Sequence, residues 1–194
     1  MSSDELVIES NAAQIKAYCE AEIEKAMQQA SMELAEAPWP SDWEVWAYGP
    51  FQAPGQAPGR IIEINQPAYI ATIVWLNPFM NTNVASFGGE VQLNYHTANT
   101  QTMSPVADPA FAHYSCCFAP NAAAGGPFGA FYVTVWEFTP TEAGCILETN
   151  ICARLCNCNH EAVPGYAAFV RWVANLDFDS FFPPVGYQLS LIHI

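Results

Sequence analysis

From residue 43 onward, the sequence is a series of short runs of β-branched and aromatic residues separated by proline and glycine. Such runs are typical of strands, because branched and aromatic side chains pack well on a pleated surface. The candidate strands are residues 43–48, 60–65, 68–76, 89–97, 128–138, 145–155 and 166–178. The pattern therefore predicts a mainly β fold.

The distribution of apolar side chains along these runs predicts how the strands are buried. In residues 89–97, Val91, Leu93 and Tyr95 alternate with polar residues, which indicates one buried and one wet face. Residues 68–76 and 128–138 carry apolar side chains at both odd and even positions, so both faces are apolar. We therefore expect central strands that are covered on both faces. Together the runs predict one β-sandwich or jelly-roll-like domain of about seven or eight strands at residues 38–183.

An acidic amphipathic helix is predicted ahead of the strands, within residues 1–37. Asn11 can cap it, and Pro38 and Pro40 end it. Its apolar stripe recurs at three- and four-residue steps: Ala12, Ile15, Cys19, Ile23, Ala26, Ala30 and Leu34. The stripe can lie along the chain's own sheet or pack on the helix of a second copy, and we predict a homo-oligomer formed through this helix.

The charge balance restricts the partners. Five Lys and Arg residues stand against 19 Asp and Glu residues, for a formal net charge of −14. Nucleic acid is excluded as a partner, since its binding needs clustered cations against phosphates. No apolar run reaches the roughly 18–20 residues that a membrane span requires. The first residues lack the basic start and apolar centre of a secretory signal, so a cytoplasmic location is expected.

Six of the seven cysteines fall between residues 116 and 158, and they are the chain's one concentration of potential chemistry. Four potential zinc ligands have even residue numbers: Cys152, Cys156, Cys158 and His160. In an extended strand they would lie on one face, where positions two residues apart are roughly 6.6 Å from each other. A zinc site at these four residues would need a turn at residues 157–159. Small buried thiols or disulfides are the alternative that we favour, with no cofactor, and a catalytic thiol is the third hypothesis.

A second candidate site lies on loop aromatics. Residues 100–126 form the longest predicted connection. A structureless connection of that length is uncommon unless it is functional or cross-linked. It carries aromatic residues beside asparagine and proline, as does the Asn77-Pro78-Phe79 segment. Stacking and amide hydrogen bonds would bind a neutral or apolar ligand, and the predicted contacts are Phe79, Tyr114, Phe118 and Asn121. Residues 184–194 are predicted to be a tail, whose last six residues resemble translated adapter sequence.

No established catalytic motif is present in the sequence. We therefore predict a non-enzymatic binding or assembly module, which either self-associates or captures a neutral or apolar ligand. The alternative is a thiol- or metal-dependent enzyme centred on residues 152–160.

Overall fold

The computed structural model describes residues 10–29, 43–56, 58–86, 88–105, 107–108, 111–118, 120, 126–144, 146–156 and 166–175, and of residues 29, 108, 111–118 and 166–175 the backbone alone. The two helices are α1 (Asn11–Gln29) and α2 (Pro78–Ser86). The strands are β1 (Trp43–Phe51), β2 (Ile61–Glu63), β3 (Ala68–Leu76), β4 (Glu90–Asn99), β5 (Ala107–Asp108), β6 (Phe111–Phe118), β7 (Ala130–Pro140), β8 (Ile146–Cys156) and β9 (Tyr166–Asn175).

The strands form two sheets, which confirms the mainly β prediction. One sheet has the order β1-β3-β7-β5 and is antiparallel throughout. The other has the order β2-β9-β8-β4-β6 and is antiparallel except where the short β2 pairs with β9. Every predicted strand overlaps an observed one. The residues of the predicted tail lie outside the described part of the chain.

One apolar core joins the two sheets. From the four-stranded sheet it takes alternate side chains of β3 and β7, such as Ile70 and Trp136, and from the five-stranded sheet those of β4 and β8, such as Leu93 and Ile151. This alternation is the one that the sequence shows in β4, where Val91, Leu93 and Tyr95 are buried.

Helix α1 covers the opposite face of the four-stranded sheet. Its stripe residues Ile15, Cys19 and Ile23 are buried against side chains of β1, β3 and β7, among them Phe51 and Val133. All nine residues of β3 are buried as a result, so the prediction of a strand covered on both faces is confirmed for β3. The helix thus lies along its own sheet, whereas self-association through it stays a prediction.

The start of α1 differs by one residue from the predicted one. Ser10 is the cap: its Oγ accepts a hydrogen bond from the Ala13 N–H at 3.3 Å, and its carbonyl oxygen accepts one from the Gln14 N–H at 3.1 Å. Asn11 is instead the first helical residue, and its Nδ2 donates to the Tyr69 hydroxyl at 3.5 Å. The rest of the predicted helix beyond residue 29 lies outside the described residues.

Three elements were not predicted. Residues 100–126 were expected to be a connection, but β5 and β6 lie within them and pair with β7 and β4, respectively. Asn77 and Pro78 were interpreted as loop residues, but they begin α2. The Asn77 Oδ1 accepts a hydrogen bond from the Met80 N–H at 2.7 Å, and Pro78 occupies the first helical position, where no N–H is needed. Within the described ranges, neither helix is long and apolar enough to cross a membrane.

Candidate functional site

An open hollow of about 290 Å³ lies between α1 and the central part of β7. Helix α1 contributes one wall and β7 the other, and Tyr95 reaches the hollow from β4 in the opposite sheet. The lining residues are Ala12, Ala13, Lys16, Tyr95, Val133, Thr134 and Val135. One helix and one strand from each sheet thus meet at one concave surface.

The helical wall is set by how α1 docks. Ile15 and Cys19 anchor the helix on the sheet, and the Ser10 cap fixes where it begins. The residues that face the hollow in the first turn are Ala12 and Ala13, whose side chains are single methyl groups. Space therefore remains beside β7 that a larger side chain would fill.

The inner end of the hollow carries a fixed pair of hydroxyl groups. Tyr95 is only 2% exposed, and its hydroxyl shares hydrogen bonds with the Oγ1 of Thr72 at 2.6 Å and the Oγ1 of Thr134 at 3.4 Å. The Tyr95 ring also stacks on Trp136, with ring centroids 5.0 Å apart. Packing and hydrogen bonding thus hold the Tyr95 hydroxyl in one position.

The hollow lies at a sheet edge. On one side β7 pairs with β3 from Ala130 to Phe138. On its other side β5 covers only Thr139 and Pro140, so no strand in the described part of the chain pairs with the outer edge of β7 beside the hollow. Alternate N–H and C=O groups of an edge strand point away from the sheet. Backbone hydrogen-bonding groups are therefore part of this surface.

Lys16 is the cation of the lining. Its side chain is 50% exposed, and its Nζ lies 3.8 Å from Oε1 of Glu20. An exposed ion pair of this kind contributes between about 0 and 1 kcal/mol, because water screens it and two long side chains lose rotamer freedom. The ammonium group can therefore turn from Glu20 to another carboxylate at little cost.

The lining can bind by three kinds of contact. Methyl and isopropyl groups give apolar contact, the Tyr95 and Thr134 hydroxyls give hydrogen bonds, and Lys16 gives one positive charge. This combination of apolar walls and a few placed polar groups is the usual composition of a ligand pocket.

The structure places the predicted zinc ligands Cys152 and Cys156 on β8, where Cys152 is exposed and Cys156 is buried. Pairing of β8 with β4 is unbroken from Leu147 to Cys156. Four residues along an extended strand span about 13 Å, whereas two thiolates on one zinc ion lie within about 4.6 Å of each other. These two thiols do not meet in the strand as it stands.

The other two predicted zinc ligands, Cys158 and His160, lie outside the described residues. The four-residue zinc site therefore stays a prediction, and it would require β8 to bend. Among the described residues, no group of three or more His, Cys, Asp and Glu side chains is arranged to hold a metal ion.

Among the cysteines whose side chains are described, Cys19 and Cys152 carry free thiols. Burial of Cys19 beneath α1 raises the pKa of its thiol to about 11, and the neighbouring Glu20 carboxylate adds to the increase. Cys19 is therefore a neutral thiol at pH 7, and it packs as a small apolar side chain.

The predicted ligand contacts fall on separate elements. Phe79 lies in the first turn of α2 and is 72% exposed. The neighbouring amide of Asn77 caps that helix, so it is engaged by the Met80 N–H. In β6, Tyr114 and Phe118 have Leu93 and Val91 as register partners. Asn121 lies outside the described residues, and ligand binding by these four residues stays a prediction.

Sequence reasoning missed the hollow, although one of its members gave a signal. Alternation in β4 places Tyr95 in the core, and a buried tyrosine hydroxyl needs a hydrogen-bond partner. The partners, Thr72 and Thr134, lie 23 and 39 residues away in the chain. No local pattern connects those positions, and Lys16 lies outside the apolar stripe of the predicted helix.

No family model matches the chain, and no curated protein matches its sequence. Among solved structures, it is similar to the CARDB domain of a Pyrococcus furiosus protein, which was crystallised in complex with di-metal ions. The two share 15% sequence identity with a TM-score of 0.36, over 70% of this chain and 94% of that chain. At this level of similarity, neither a function nor a metal site carries over.

Proposed function

We propose that this chain is a non-enzymatic β-sandwich module that captures a neutral or apolar ligand in the hollow between α1 and β7. The observation that supports the proposal most strongly is the hollow itself: apolar walls border an open space of about 290 Å³ beside a pair of hydroxyl groups. This volume is near the lower end of the range of roughly 300–1,000 Å³ that is typical of ligand pockets.

The sandwich arrangement is part of the proposal, because it explains how the site is built. One core joins the two sheets, and that core lets Tyr95 of one sheet bond to Thr72 and Thr134 of the other. The helix on the outer face of the four-stranded sheet then supplies the second wall. A ligand would thus contact the helix and both sheets at once.

The expected affinity is modest. A ligand that removes about 200 Å² of apolar surface from water gains roughly 5 kcal/mol at 25 cal/mol per Å². Part of this gain offsets the loss of translational and rotational freedom. Hydrogen bonds to the hydroxyls add about 0.5–1.5 kcal/mol each for a ligand that carries a polar group.

The first prediction concerns filling the hollow. The neutral dye N-phenylnaphthylamine should fluoresce on binding the native chain, and Ala13→Trp should weaken that binding at least tenfold, because the indole would occupy the space beside Val133. Ala13 is exposed, so this variant should keep its fold. The measurement is a fluorescence titration of the dye.

Ala21→Trp is the matched control, since Ala21 is an exposed alanine of the same helix. It lies about 12 Å further along the axis, at 1.5 Å per residue, and it is not part of the lining. Its dye affinity should equal that of the native chain. Equal loss or equal retention of dye binding in the two variants would contradict the proposed site.

The structure offers less support for the other functions that the sequence allows. Self-association through the helix would need the stripe residues Ile15, Cys19 and Ile23, and these are buried on the chain's own sheet. For an enzyme around residues 152–160, no observation among the described residues adds to the sequence pattern. Both remain hypotheses, and the first is tested below by a substitution in the stripe.

A further inference from the structure

We infer that the ligand of the hollow is an extended peptide that adds a strand to the outer edge of β7 and places one carboxylate against Lys16. This inference rests on the proposed function and deepens it, since it names the class of ligand. The peptide is apolar or neutral except for that carboxylate, and in this one charge it differs from the neutral or apolar ligand proposed above. The binding mode is β-strand addition, in which main-chain hydrogen bonds provide affinity and side-chain pockets provide specificity.

The open edge of β7 is the first argument for a strand. The edge beside the hollow belongs to Val133, Thr134 and Val135, and no strand of the described chain covers it. A small apolar molecule would leave the outward N–H and C=O groups of these residues to water or without a partner. A peptide backbone repeats donors and acceptors at the spacing that the edge presents, so it can pair with them.

The chain itself shows that the edge accepts a strand. The two residues of β5 pair with it in antiparallel register, Ala107 with Pro140 and Asp108 with Thr139. The next strand, β6, belongs to the other sheet, where it pairs with β4. An added peptide would continue the line of β5 along the part of β7 that β5 does not reach.

The side-chain surroundings match an added strand on both of its faces. Side chains of neighbouring strands alternate together, so one face of the peptide would lie with Val133 and Val135, beneath Ala12 and Ala13 of α1. The other face would lie with Thr134 and the Tyr95 hydroxyl. The first set of positions suits β-branched apolar side chains, and the second suits small hydroxyl side chains.

The charge distribution restricts the peptide further. Lys16 is the cation at this surface, and its pairing with Glu20 is weak enough to be exchanged. The chain as a whole carries a formal charge of −14, so a peptide with several carboxylates would be repelled. One carboxylate within reach of Lys16 is therefore favoured, and additional ones are not.

The test uses the acetylated and amidated peptide Val-Thr-Val-Thr-Glu, in which the glutamate shares the valine face that lies toward α1 and Lys16, and two versions of it. One version is N-methylated at the central valine and the other at the following threonine. Alternate N–H groups of a strand point to opposite sides, so one methyl group would block pairing with β7 and the other would face away. We expect one version to lose at least tenfold in affinity and the other to bind as the parent peptide does, measured by calorimetry.

The charge is tested by Lys16→Glu, with Lys25→Glu as the matched control. Both lysines lie on α1 and pair with a helix glutamate at 3.8 Å, so the two variants change the net charge equally. Lys16→Glu should weaken binding of the parent peptide about fivefold or more, and Lys25→Glu should leave it within twofold. Replacing the peptide glutamate by glutamine should remove the difference between the variants.

The outcomes separate this inference from the proposed function. If both N-methylated peptides bind as the parent does, or if none of the peptides binds, strand addition is overturned. The proposed function still holds in either case if Ala13→Trp blocks the dye and Ala21→Trp does not. If neither variant changes dye binding, the proposed function fails together with the inference.

Discussion

Replacing Gly129 with alanine is expected to lower the free energy of unfolding by about 3 kcal/mol or more, which is a large part of the stability of an ordinary domain. Gly129 has a φ of +86°, a conformation that costs an L-residue roughly 1–2 kcal/mol. A Cβ at this position would also overlap the Leu76 carbonyl oxygen and lie 2.9 Å from Nε1 of Trp75. The neighbouring turn cannot move away freely, because Trp75 Nε1 donates a hydrogen bond to the Phe128 carbonyl at 2.7 Å.

Gly144→Ala is the control for the backbone contribution alone. Gly144 has a φ of +80°, and a Cβ there would meet nothing within 4 Å. Gly144→Ala should lower the free energy of unfolding by only about 1–2 kcal/mol. Urea unfolding followed by tryptophan fluorescence gives both values. Equal losses in the two variants would show that the close packing of β3 against the start of β7 is not as described.

The second large effect is expected for Ile15→Asp, which places a carboxylate beneath α1. Ile15 is 1% exposed and packs among the residues that join α1 to the four-stranded sheet. The variant loses the burial of the isoleucine side chain and forces a charge out of water, so we expect the free energy of unfolding to fall by about 4 kcal/mol. Urea unfolding measures the loss.

Ala21→Asp adds the same charge at an exposed position of the same helix and should change stability by less than about 1 kcal/mol. Sedimentation velocity on the native chain and on Ile15→Asp distinguishes the two roles of the helix. A native dimer that becomes a monomer with an unchanged β circular dichroism signal would show that α1 packs on a second copy. If the native chain is a monomer and Ile15→Asp loses its β circular dichroism signal, α1 packs on its own sheet.

Local periodicity made much of the fold predictable. The continuous apolar run of β3, the alternation in β4 and the three- and four-residue steps of α1 are each readable within one element. Strand β6 has no comparable pattern, since alanine, histidine, serine and cysteine interrupt its aromatic residues, and prolines surround it. Helix α2 did have a start signal in Asn77 and Pro78, but the adjacent Phe79 was interpreted as a loop aromatic.

The candidate site was not predictable in the same way. The edge of β7 that no strand of the described residues covers depends on which strands are neighbours, and strand order is a non-local property. Ala12 and Ala13 line the hollow only because Ile15 anchors the helix beside that edge. The cysteine pattern suggested a shared face, but it could not show that β8 continues as a paired strand to Cys156.

The most direct test of the proposed site is a map of amide NMR shifts during titration with N-phenylnaphthylamine. If the hollow binds the dye, the largest shifts will fall on the residues that line it, at Ala12, Ala13 and Lys16 of α1 and at Val133, Thr134 and Val135 of β7. Shifts concentrated instead at Phe79, Tyr114 and Phe118, with those of the lining unchanged, would contradict the account and support binding at the aromatic residues that the sequence indicated.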